Sequence, residues 1–183
     1  MRLSALIRLW LWLTLLAVAA FAVLAVLDGR LKAATGFGTL DLQGAQSALD
    51  YKRVFAAWIA RQHAATAGFS LGFDYLFMPL YAVSFYFSAM LAREAFTPKR
   101  GLARRTLDYL GFVPLAGALA DAIENGLEFS MLSGAPDDAT ARFAYMASNV
   151  KTTCFYVGLA LLLGGIAGAI KLRRKKKDES PAR

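Results

Sequence analysis

The chain has 183 residues, 57% of them hydrophobic and only 19% charged, whereas a soluble domain is nearer half apolar and a quarter charged. One cysteine and one histidine exclude an internal disulfide, a multi-cysteine metal site, and haem or zinc centres built on paired histidines. The net charge of +8 lies mostly between and after long apolar runs, a pattern that points to a membrane and not to nucleic acid.

Crossing a hydrocarbon core of ~30 Å takes roughly 20 helical residues, and four stretches qualify. The first, residues 9–27, carries no charge. Its basic start and the small residues Ala17, Ala19 and Ala20 resemble a cleaved leader. However, an apolar run 19 residues long exceeds the ~7–15 of a signal core, so a retained span is expected. After the flexible Gly36-Phe37-Gly38 turn, residues 47–62 read as an amphipathic helix. Tyr51, Val54, Phe55, Trp58 and Ile59 recur at helical spacing, with Asp50, Arg53 and Arg61 off that stripe and Ser47 as N-cap. This helix is expected to lie on the outer membrane surface or to cover the bundle.

The second stretch, 71–91, contains only Asp74 as a charge, with Tyr81 seven residues later on the same face, and Pro79 inside it. The third, 109–132, contains Asp121, Glu124 and Glu128, with Pro114 inside it. The fourth, 143–170, contains only Lys151 as a charge. Asn149, Thr152, Thr153 and Tyr156 form a polar stripe along it. The G-x-x-x-G spacing of Gly164 and Gly168, with Gly158 and Gly165, favours close helix packing within the bundle. Residues 171–177 hold six basic side chains in seven. Such a run next to a span attracts anionic lipid at ~1 kcal/mol per residue.

Basic residues orient the chain. Fourteen lie at the N-terminus (Arg2, Arg8), in the second connection and in the tail through Arg183; six lie in the other connections. The expected fold is therefore an all-α membrane protein in one domain, residues 1–183. It is a four-transmembrane-helix up-down bundle with an external amphipathic helix between the first two spans. The N- and C-termini are cytoplasmic, and the setting is a bacterial cytoplasmic membrane.

A charge at the bilayer centre costs ~2.5–3.5 kcal/mol or more, so intramembrane ionisable residues face the interior and have partners. Asp121, Glu124, Asn125 and Glu128 are spaced i, i+3, i+4 and i+7 on one helix face. Asp121 falls near mid-membrane, while Glu128 lies near the outer boundary, where water can reach it. With Asp74, Asn149, Lys151, Tyr81 and Tyr156 they form a candidate pocket or ion-pair cluster in the outer half of the membrane. If the last span begins only at Val150, Lys151 is instead an interfacial anchor that snorkels outward.

Three functional readings stand side by side. The first is an outward-facing charged pocket that binds or moves a small solute, ion or lipid-like molecule. The second is a membrane enzyme acting on a lipid or isoprenoid. The third is a structural or assembly partner whose buried ion pairs only specify packing. No cofactor or metal is expected, because Lys151 neutralises a carboxylate that a cation would need. Membrane thiol oxidoreductases need cysteine pairs, and membrane acid phosphatases need a catalytic histidine. Serine rhomboids need a Gly-x-Ser-Gly nucleophile, but Ser133-Gly134 follows Met131-Leu132. The lone Cys154 reads as an inert thiol, and His63 as a surface residue.

Overall fold

The long apolar runs form long helices in the computed structural model, which describes residues 3–178, with side chains through Lys176. Arg2 and Arg183 of the basic count, and the side chain of Lys177, lie outside the described residues. The elements are α1 (Leu3–Thr35), a short 3-10 helix (Thr39–Gly44), α2 (Ala48–Ala60), α3 (Ala64–Phe96), α4 (Leu102–Leu110), α5 (Val113–Ser133) and α6 (Asp138–Asp178). The described residues contain no strand. Four stretches are long and apolar enough to cross a membrane: Leu3–Thr35, Ala64–Phe96, Leu102–Ser133 and Asp138–Lys176.

The helices run beyond the sequence-predicted spans. The third run is divided: Gly111 and Phe112 separate the short α4 from α5. Pro114 sits in the first turn of α5 and not within its body. There its missing N–H costs nothing, because the first amides of a helix have no intrahelical partner. Pro79 remains inside α3.

Packing centres on α3, which touches α1, α5 and α6 along its length, while α5 also packs against α6. Small residues bring α6 close. A Cβ at Gly165 would lie 2.6 Å from that of Ser88, and one at Gly168 would lie 2.7 Å from the Leu91 carbonyl oxygen. One at Gly158 would run into the Phe85 ring. The glycines of the last span thus serve the α3–α6 contact within the chain. From α1, Trp10 Nε1 donates to the same Ser88, at Oγ, at 2.8 Å, and the Thr14 and Ser84 hydroxyls are 2.7 Å apart. These bonds fasten the first half of α1 to α3. At the end of α3, Arg93 pairs with Asp108 and Glu94, and Arg104 with Glu94, tying down α4.

The predicted amphipathic helix is α2. Ser47 is its N-cap: its Oγ accepts from the Asp50 amide at 3.3 Å, and Asp50 accepts from the Ser47 amide at 3.1 Å. This reciprocal capping satisfies amides that a helix start leaves open. The helix ends in a Schellman turn, with His63 N–H donating to the Trp58 carbonyl at 2.7 Å. Gln62 takes the left-handed position at φ 60° that glycine usually fills. Tyr51, Val54, Phe55 and Trp58 are buried against Leu31, Leu42, Met131, Ala141 and Ala144. Ile59, expected on that stripe, is 60% exposed. It lies at the stripe's edge, where the Schellman turn draws the chain away. The Ala48 amide donates to Asp138 Oδ1 at 2.8 Å, fixing α2 to the start of α6. Trp58 Nε1 donates to the Phe37 carbonyl at 2.9 Å.

Two outcomes follow. Gly168→Leu pushes the Leu91 backbone away and is expected to cost about 1–3 kcal/mol, seen as a lower unfolding midpoint in detergent. The Ser47 hydroxyl, followed by the Gln46 amide, holds the Asp50 carboxyl below its ordinary 3.8. Its contribution is therefore fully present above that value and is lost as the pH falls through the lower folded value. Amide-exchange protection at the start of α2 should fall in that acid window, and Asp50→Ala should remove it at every pH.

Candidate functional site

The α5 carboxylates are placed by one face of one helix. Asp121, Glu124, Asn125 and Glu128 are all buried, none more than 4% exposed. They point into the space enclosed by α1, α3 and α6. Across from them, Lys151 of α6 reaches both neighbours: its Nζ lies 2.6 Å from Glu124 Oε2 and 3.2 Å from Asp121 Oδ1. Among the described residues, those two oxygens have no other hydrogen-bond partner. Lys151 is thus an internal ion-pair partner and not a snorkelling anchor.

The remaining oxygens are held by neutral groups. Tyr81 donates to Asp121 Oδ2 at 3.2 Å, and Ser148 hydrogen-bonds Glu124. Asn125 Nδ2 donates to Asp74 Oδ2 at 2.8 Å, bringing the one carboxyl in the body of α3 into the group, since Glu94 lies in its last turn. Glu128 is not at a solvated boundary. The α2 stripe covers it, and its nearest donor is the Tyr51 hydroxyl, 3.5 Å from Oε1. Among the described residues neither Asp74 nor Glu128 forms an ion pair.

The ion pairs do not fill the space. A cavity of about 320 Å³ adjoins all four carboxyls and Lys151, at the lower end of the ~300–1,000 Å³ typical of ligand pockets. Its opposite wall is apolar, formed by Phe21, Leu24, Phe77 and Phe155. Ring centroids 5.8 Å apart for Phe21–Phe77 and 6.5 Å apart for Phe77–Phe155 make that wall nearly continuous. Asp28 borders the cavity too, but its carboxylate accepts from the Thr39 hydroxyl and the Leu40 amide and serves to seat the 3-10 helix.

Of the predicted site residues, Asp74, Asp121, Glu124, Asn125, Lys151 and Tyr81 come together. Asn149 does not: it is exposed and donates to the Tyr145 carbonyl of its own helix. Thr153 likewise bonds the Asn149 carbonyl. Tyr156 is 67% exposed and only borders the cavity. The rotation of α6 is set by its small residues. Ala141, Ala144, Ser148 and Gly158 are buried, so the inward face passes through Ser148, Lys151 and Phe155, one step from the polar stripe. Sequence reasoning also missed Tyr51 as a neighbour of Glu128. The signal was present, since α2's own apolar stripe turns that hydroxyl inward.

The chain matches no protein-family model, no curated protein and no solved structure. The site's chemistry therefore rests on its own geometry. Among the described residues no group of histidine, cysteine and carboxylate side chains is arranged to hold a metal ion. The arrangement can neutralise one cation internally and leaves two carboxyls beside an open, half-apolar space.

Removing one partner of a buried pair leaves the other uncompensated, at ~3–5 kcal/mol. Lys151→Met is expected to lose about that much in an unfolding titration. Combining it with Asp121→Asn and Glu124→Gln should recover most of the loss.

Proposed function

We propose that this is an integral membrane protein of the bacterial cytoplasmic membrane, built as an up-down bundle of four transmembrane helices with both termini in the cytoplasm. Its outward-facing charged pocket binds or moves a small solute, ion or lipid-like molecule. The orientation is supported by the fourteen-to-six division of basic residues. On this reading α2 is the external helix over the outer end of the bundle. The basic residues after Ile170 meet anionic lipid at the inner surface.

The observation that carries the binding reading is the coexistence of a closed ion-pair core and an open cavity. Had burial of charge served packing alone, the carboxyls would be consumed by partners. Instead Asp74 and Glu128 border about 320 Å³ of free space without a cation of their own. The structural reading keeps one specific support: Lys151 bridges Asp121 and Glu124 directly, so that part of the cluster fixes the register of α5 against α6.

Thr152 borders the cavity and forms no part of the ion pairs. Mass spectrometry of the protein released from mild detergent should find a small molecule retained in stoichiometric amount, absent from a Thr152→Trp variant that fills the space. An empty wild type, together with a Thr152→Trp variant of higher stability, would instead establish the packing role. Reporter fusions at both ends should register cytoplasmic termini.

A further inference from the structure

Resting on that binding reading, we infer that the pocket's ligand is a cationic amphiphile: a singly charged ammonium head with one apolar chain, taken from the membrane through the gap between α1 and α6. Three independent features of the site lead there.

The first is charge. Asp121 and Glu124 share Lys151, whereas Asp74 is held by the Asn125 amide and Glu128 by a long contact from Tyr51. Glu128 is only 3% exposed and borders the cavity. Buried carboxylates without a counter-ion are costly, and a singly charged organic cation in the cavity would offset one unit of that charge. An anionic head would meet the opposite field.

The second is the apolar wall. Phe21 and Leu24 of α1, Phe77 of α3 and Phe155 of α6 border the same cavity. A small hydrated cation has no use for such a wall, while an alkyl chain does. Aromatic faces beside the head also suit a quaternary or alkyl ammonium.

The third is access. α1 packs along α3 but makes no comparable seam with α5 or α6 among the described residues. The cavity is bordered on one side by Phe21 and on the other by Tyr156, 56% and 67% exposed. In a bilayer these exposed rings face lipid, so the apolar side of the pocket opens sideways to acyl chains while its carboxyls lie deeper.

The test uses the full chain in maltoside micelles, titrated below their own micelle-forming concentrations with decyltrimethylammonium, decanoate and decanol, and separately with tetramethylammonium. Decyltrimethylammonium should raise the unfolding temperature saturably and bind at least tenfold more tightly than the other three. Asp74→Asn with Glu128→Gln should weaken it by tenfold or more. Leu24→Trp, at the apolar wall of the cavity and outside the ion pairs, should weaken it as well, which keeps the test valid if the charge variant fails to fold. Equal binding of decanol or decanoate would overturn the cationic class, and equal binding of tetramethylammonium would overturn the amphiphile; each would leave a binding pocket in place. If no probe binds and the purified protein retains no small molecule, the binding reading falls too.

Discussion

The lysine bridging two carboxylates across the α5–α6 contact is the interaction on which the rest depends. Lys151 stands between Asp121 and Glu124, and in a medium of low polarity none of the three is tolerable alone. That requirement acts with the small-residue contacts of α6 in fixing how α5 and α6 are rotated toward each other. Once α5 is so rotated, its i, i+3, i+4, i+7 spacing carries Asn125 and Glu128 inward as well. Asn125 then recruits Asp74 from α3, and Glu128 falls beneath α2. The two ion pairs of Lys151 therefore align a polar column that joins three long helices and the short α2.

A second constraint is steric. Gly158, Gly165 and Gly168 let α6 lie against α3 at distances that no larger side chain permits, and α5 fits the same way where Gly117 faces Cys154. Dispersion and close packing drive helix association where water is absent. With α3, α5 and α6 mutually in contact, the open space is displaced to the side where the middle of α1 leans chiefly on α3. The cavity is the volume left when three helices pack tightly and a fourth does not.

The sequence made much of this legible, for physical reasons. Long apolar runs have few alternatives to helices, so the number of long helices could be read directly. The α5 column was legible because four polar residues at helical spacing cannot all face lipid. Ser47 announced the start of α2 because an N-cap is a local device, while the answering role of Asp50 appears only in the structure. What could not be read depends on partners distant in sequence. The rotation of α6 follows from where its alanines and glycines meet α3 and α5, so Asn149 and Tyr156 turned outward although their spacing matched a polar face. Glu128 seemed near water until α2 was folded over it. The hydrogen bonds of Trp10 and Thr14 to Ser88 and Ser84 span 78 and 70 residues and leave no periodic trace in either helix. The break at Gly111 was hidden because hydropathy continues across it.

The way α1 is fastened bears on the kind of aperture beside it. Near its start the helix is stitched to α3 at Trp10 and Thr14. Near its other end Leu31 is sealed among Leu42 and Trp58, and Asp28 holds the backbone of the following loop. Phe21, Leu24 and Ala25 lie between these two moorings. A beam held at both ends bends far less than one held at a single end, and between Thr14 and Asp28 the helix has no Pro or Gly at which sharp kinks arise. The opening beside α1 therefore has the character of a window in a fixed frame and not of a swinging door. On the binding reading proposed above, its width is set when the chain folds, and a ligand would be sorted by girth before its charge met the carboxyls.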